Sequence, residues 1–334
     1  MKRITAVFSI TIIIFLISAQ ITLLIEGTTT VNAVIGDWQG ISIARSSPTR
    51  LIFRNNSITS SNSSGYMLHA GDELAGTENN NLDGQVITGN KFLWSGINAK
   101  SNTHALFTGY NINASIKYNY LDKVPSGIQM KSNGMSNTDG GVAYNIVNNP
   151  GQSCVPVKGM KNVKIYNNVF YSDKLFYKND SVGVWRGLID IHSNTDEGQN
   201  ASASNSAGTK IKNNIFYTVH KVYNIAIYDS VDLPGFESDY NIFYCETGSP
   251  VFNYLGRYLT FLQWRAKGFD IHSKIINPKF KDLIDFVPEE PLYYGTDLGE
   301  TWQEGLSISA KWIPGSSPST TQQNGIWQIG ARIY

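Results

Sequence analysis

Charge is what this sequence has least of. Asp, Glu, Lys and Arg make up 16% of its 334 residues, and 27 basic side chains stand against 26 acidic ones. So few charges, so evenly balanced, exclude a broad electrostatic grip on nucleic acid or on an anionic membrane. Cysteine is nearly absent too. Cys154 and Cys245 are the only two, and they fall in repeats several rungs apart. Stacked strands lie about 4.8 Å from one another, so the pair is beyond disulfide reach and two buried free thiols are expected. No run of Cys or His has the spacing of a metal site. No phosphate loop or dinucleotide-binding glycine fingerprint occurs.

Glycine, asparagine, serine and tyrosine are plentiful instead, a composition that favours β-structure with many turns over helix. At the start, Lys2 and Arg3 precede an apolar run from Ile4 to Ile25, and Val31-Asn32-Ala33 offers a cleavage site. Residues 1–33 therefore read as a signal peptide or, because the run is long for one, as an uncleaved N-terminal anchor. Either form implies a secreted or cell-surface protein with no other membrane segment. No Cys follows the run closely, so a lipoprotein anchor is not indicated.

Two repeating elements fill the chain after it. The first is an Asn followed two residues later by an apolar residue: Asn56, Asn90, Asn119, Asn145, Asn168, Asn214 and Asn241. They recur at intervals of 34, 29, 26, 23, 46 and 27 residues, a period that signals a stacked-repeat architecture. The interval of 46 holds a single strand of the second type, so it is one coil with insertions over residues 172–186 and 194–208. The polar tract at residues 199–206 is expected to be an exposed loop. Each marker Asn is expected at a bend, in a left-handed backbone, with its side chain in an amide ladder from coil to coil. The fold predicted is all-β: a parallel β-helix over residues 34–259 and a non-repetitive capping segment over 260–334. Within that cap, Thr260 to Gly268 should form a short helix with Thr as N-cap and Gly as stop.

The second element reads apolar, variable, apolar, polar, small. Its copies begin at Tyr66, Ala105, Ile128, Val155, Ile189 and Ile225. Stacked in register, the fourth position becomes a column of His69, Thr108, Lys131, Lys158, His192 and Tyr228. Ile128 and Met130 would face the core; Gln129 and Lys131 would face out. Asp190 lies two residues before His192 and shares its face. Lysines on adjacent coils would lower each other's pKa, bringing a neutral amine base within reach near neutral pH. Removing the C5 proton of a uronate needs such a base, plus positive charge for the enolate-like carboxylate that forms. Lys131, Lys158 and His192 are the catalytic candidates on this logic. Gln129, Asp190 and Tyr228 are the substrate-binding candidates. His104 reads as a turn residue.

The Asn-marked coils resemble right-handed parallel β-helix proteins of the pectate-lyase-like superfamily. So do Ser238-Asp239-Tyr240-Asn241-Ile242-Phe243-Tyr244, Gly268 to Ser273, Asn277-Pro278-Lys279-Phe280 and the closing Trp327-Gln328-Ile329-Gly330-Ala331. Lys131-Ser132 further resembles the Lys-Ser pair of the chondroitinase B and alginate lyase family. Val157-Lys158-Gly159, one coil on, matches that family's Arg-His-Gly in part, with Lys for Arg and no His. This resemblance implies Lys131 as the Brønsted base and Lys158 as the group that neutralises or protonates at the scissile bond. Asn194-Thr195-Asp196 resembles an element of the polygalacturonases, but their Asp-Asp, Gly-His-Gly and Arg-Ile-Lys elements do not occur, which argues against paired-carboxylate hydrolysis.

Two readings stay open. One is an exported carbohydrate-active protein, a lyase on an acidic polysaccharide. The other is a non-catalytic adhesin, glycan-binding or spike-like protein. Asp190, Asp196, Glu197, Asp229 and Asp232 could supply oxygen ligands to Ca²⁺, and no other cofactor is indicated. Nothing in the sequence fixes the oligomeric state.

Overall fold

The computed structural model describes residues 14–17, 20–27, 29–31, 39–43, 49–60, 66–71, 82–94, 104–109, 111–173, 187–195 and 200–334. Lys2, Arg3, Asp196, Glu197 and most of the first insertion lie outside them.

The architecture is all-β, and nearly every strand pairs in parallel with its counterpart one repeat away. Among the described residues three long sheets result, each of nine strands. A coil visits them in order. Ser115–Lys117 belongs to the first sheet, Tyr120–Asp122 to the second and Ile128–Lys131 to the third. The next coil repeats this with Gly141–Ala143, Ile146–Asn148 and Val155–Lys158. The arrangement is compatible with the expected parallel β-helix. Gln20–Glu26, inside the segment read as a targeting sequence, pairs in parallel with Thr49–Arg54 in the first sheet. No helix of the described residues is long and apolar enough to cross a membrane.

The core follows from the strand period of two. In the first sheet Phe53, Ile87, Ile116, Val142, Ile165 and Ile211 stack in register and are buried. In the second sheet Ile58, Phe92, Leu121, Val147, Phe170, Phe216 and Phe243 do the same. Each such side chain contributes about 1.5–3 kcal/mol by leaving water. Cys154 joins this core, and both cysteines are buried free thiols as expected.

The bend between the first and second sheets carries the asparagine ladder. Asn56 Nδ2 donates to Asn90 Oδ1 at 2.9 Å, Asn90 to Asn119 at 2.9 Å and Asn119 to Asn145 at 2.9 Å. The chain continues through Asn168, Asn214 and Asn241, and Asn241 Nδ2 ends on Asp270 Oδ1 at 2.9 Å. The expected left-handed backbone is not at the marker Asn but one residue earlier. Asn55, Gly89, Tyr118, Tyr144, Asn167, Asn213 and Tyr240 all have φ between 53° and 67°. The turn is made there, and the following Asn, free of that duty, projects inward to its neighbour.

After the last coil the chain forms the short capped helix that the sequence suggests. Thr260 caps the helix Phe261–Arg265 in a capping box with Gln263, and Gly268 follows at φ 93°. Trp264, fully buried, stacks on Phe252 and donates its indole N–H to Asp270 at 2.7 Å. The remaining segment runs back along the bend as a strap. Thr296, Trp302, Glu304, Ser317 and Gln328 hydrogen-bond to Asn213, Tyr144, Tyr118, Asn55 and Asn167 in turn. Each partner is a left-handed residue. The polar tract at 199–206 departs from expectation at its far end: Ser204, Asn205 and Ser206 are buried, not exposed.

Candidate functional site

The third sheet carries the residues singled out from the sequence, and its register tests the column. Lys131 pairs with Lys158, and Lys158 with His192. Ile191 pairs with Ile227, which sets Tyr228 beside His192; their rings meet edge to face at 6.1 Å. Four of the six expected members therefore stand on successive coils, about 4.8 Å apart along the stack.

His69 and Thr108 do not belong to it. The partner of Lys131 in the preceding coil is Gly109, whose own partner is Gly71. His69 pairs with Phe107, and Phe107 with Gln129. Thr108 pairs with Met130 and is buried, with its hydroxyl donating to Gln129 O at 2.9 Å. Thr108 has slipped by one residue, which turns its side chain to the other face of the strand; His69 has slipped by two, so it falls in line with Gln129 and not with Lys131.

Ile128, Met130, Ile189 and Ile191 lie in the core, so Gln129, Lys131, Asp190 and His192 occupy the opposite face. That face is not uniformly open. Lys131 is 8% exposed, Gln129 9% and Asp190 2%, whereas Lys158 and His192 are half-buried. Access therefore increases along the column from Lys131 toward His192. His104, read as a turn residue, is 3% exposed.

The bends that follow these strands are drawn tightly together. Gly159 lies at φ 66°, and a Cβ there would stand 2.5 Å from Ser132 O, 2.5 Å from Asn194 Cβ and 2.7 Å from Ser204 O. Only glycine fits such an approach. Ser132 Oγ donates to Gly159 O at 2.7 Å, and Asn194 Nδ2 donates to Ser132 O at 3.0 Å. Ser206 Oγ accepts the Gly159 N–H at 2.9 Å and donates to His192 O at 3.0 Å. Behind them sits Asp232, fully buried. Its Oδ1 accepts the Ser206 N–H at 2.7 Å and the Ser193 hydroxyl at 3.3 Å. Asp229 Oδ2 accepts the Ser193 N–H at 3.3 Å. Burial first, and the nearby Asp229 carboxylate, push the Asp232 carboxyl up to about 6 against the pull of those donors.

The arrangement offers two ammonium groups, an imidazole and a phenol in line. Such a set can hold an anionic sugar and move a proton at it. Among the described residues no three His, Cys, Asp or Glu side chains converge as metal ligands. Of the five oxygens-bearing residues considered for Ca²⁺, Asp229 and Asp232 adjoin one another.

Sequence reasoning missed Ser206 and had Asp232 only as a possible Ca²⁺ ligand, not at this corner. The small residue closing each copy (Ser132, Gly159, Ser193) was a signal that the strands end in a tight corner. The partner filling that corner comes from the second insertion, whose length no repeat could place. Comparison with protein-family models, with curated proteins and with solved structures finds no match to this chain.

Proposed function

We propose that this is an exported right-handed parallel β-helix of the pectate-lyase-like type that cleaves an acidic polysaccharide by β-elimination. The observation carrying the proposal is the register of Lys131, Lys158 and His192 on three successive coils, with Tyr228 against His192. In this reading Lys131 takes the C5 proton of a uronate. Lys158 balances the carboxylate charge that builds up as the C5–H bond breaks. The electron pair forms the C4–C5 double bond, the C4–O bond breaks, and His192 or Tyr228 gives a proton to the departing oxygen. Gln129 and Asp190 orient the sugar. Export rests on residues 1–33; the pairing of Gln20–Glu26 with Thr49–Arg54 favours a form in which that segment is kept.

The low exposure of Lys131, Gln129 and Asp190 favours a second reading, a glycan-binding protein without catalysis. The two separate by experiment. Alginate, pectate and glycosaminoglycans are incubated with the protein, and unsaturated uronate is followed at about 235 nm. A lyase gives rising absorbance that Lys131→Ala lowers by at least about a hundredfold. Equal activity in Lys131→Ala removes it as the base. Retardation on one of these polymers in affinity electrophoresis, without absorbance, leaves binding only.

A further inference from the structure

We propose that Asp232 is a positioning residue for the Lys131–Lys158–His192 column, locking the corner in which their strands end. This rests on the reading of that column as the functional site. The hydrogen bonds form one connected set. Asp232 Oδ1 holds the Ser206 N–H and the Ser193 hydroxyl; Ser206 Oγ holds the His192 carbonyl and the Gly159 N–H. Ser193 directly follows His192, and Gly159 directly follows Lys158. Gly159 O accepts from Ser132, which directly follows Lys131. One buried carboxyl thus reaches the bend after all three side chains, through contacts of 2.7–3.3 Å.

Among the described residues no donor reaches Asp232 Oδ2, so its hold on the corner runs through Oδ1, which accepts both the Ser206 N–H and the Ser193 hydroxyl.

Hydrogen exchange of the full chain tests this without any substrate. Amides of residues 188–209 are compared between wild type and variants at one pH, after correction for intrinsic exchange. Asp232→Asn, an isostere that keeps the accepting oxygen, is expected to hold its protection. Asp232→Ala is expected to lose about tenfold or more of it, while the strands Ile165 to Phe170 stay protected in every variant. A loss in Asp232→Asn equal to that in Asp232→Ala overturns the assignment of the hold to Oδ1. Full protection in Asp232→Ala overturns the positioning role. Because no polymer is involved, a protein that obeys these expectations and cleaves nothing removes the lyase reading alone.

Discussion

Asn145 accepts two hydrogen bonds on one oxygen, from Asn119 N and Asn119 Nδ2, both at 2.9 Å. Its own amide donates to Ile116 O and to Asn168 Oδ1. No other side chain has this combination of acceptor and donors at this length, and it is buried, so water cannot replace it. Asn145→Ala should therefore cost roughly 2–3 kcal/mol, because the buried Asn119 N–H loses its acceptor and the ladder is cut between Asn119 and Asn168. Urea denaturation measures this; a loss under about 1 kcal/mol would mean that the ladder is dispensable. The marker was legible in the sequence because this inward duty allows a single residue type. The left-handed residue before it was not, since Asn, Gly and Tyr all serve there. Tyr144 holds φ 55° with its hydroxyl bound to Trp302 O and its ring on Tyr118. Contacts from a remote part of the chain offset the roughly 1–2 kcal/mol of a left-handed tyrosine, and no local pattern reports them.

The strands of the third sheet were legible as a set but not in every register. Copies with alternating apolar residues, such as Ile189-Asp190-Ile191-His192, align uniquely. Ala105-Leu106-Phe107 offers three adjacent apolar residues, so Ala105 or Leu106 could be matched to Ile128. Pairing of Leu106 with Ile128 decides it. Thr108 then belongs to the interior, beside Gln129 O and Met130 Sδ, and not to the column. This separates structure from chemistry in a measurable way. Thr108→Val should cost about 1 kcal/mol through the lost hydroxyl bond and leave polymer cleavage or binding unchanged. Lys158→Ala, on the half-exposed part of the column, should do the reverse. A Thr108→Val protein of normal stability but impaired on polymer would restore that residue to the site. The corner behind the column shows the other limit of sequence reading. Ser206 and Asp232 lie 14 and 40 residues from His192, and one of them sits in an insertion that breaks the period.

At the scale of the molecule, a stack of coils touching only their neighbours should unfold piecemeal, since each interface contributes separately. The strap changes that expectation. Ser317 holds the coil of Asn55 and Thr296 holds the coil of Asn213, with Glu304, Trp302 and Gln328 on coils between them. It also covers an apolar column outside the second sheet, where Tyr120, Ile146, Val169 and Ile215 pack with Leu306 and Ile329. One continuous segment thus ties coils far apart in the stack, so loss of one loosens its grip on the others. The wild type should unfold in a single step, with tryptophan fluorescence and far-ultraviolet circular dichroism falling together in urea. Trp302, Trp312 and Trp327 all lie in the strap, so fluorescence follows it most closely. Combining Tyr118→Phe, Tyr144→Phe and Asn167→Ala removes three of its anchors while leaving the core columns intact. In that variant fluorescence should fall at lower urea than circular dichroism, by about 1 M, as the strap lifts before the sheets melt. If the two transitions still coincide, cohesion comes from the stacked core and the asparagine ladder instead. The strap would then protect the second sheet from water without joining its coils into one cooperative unit.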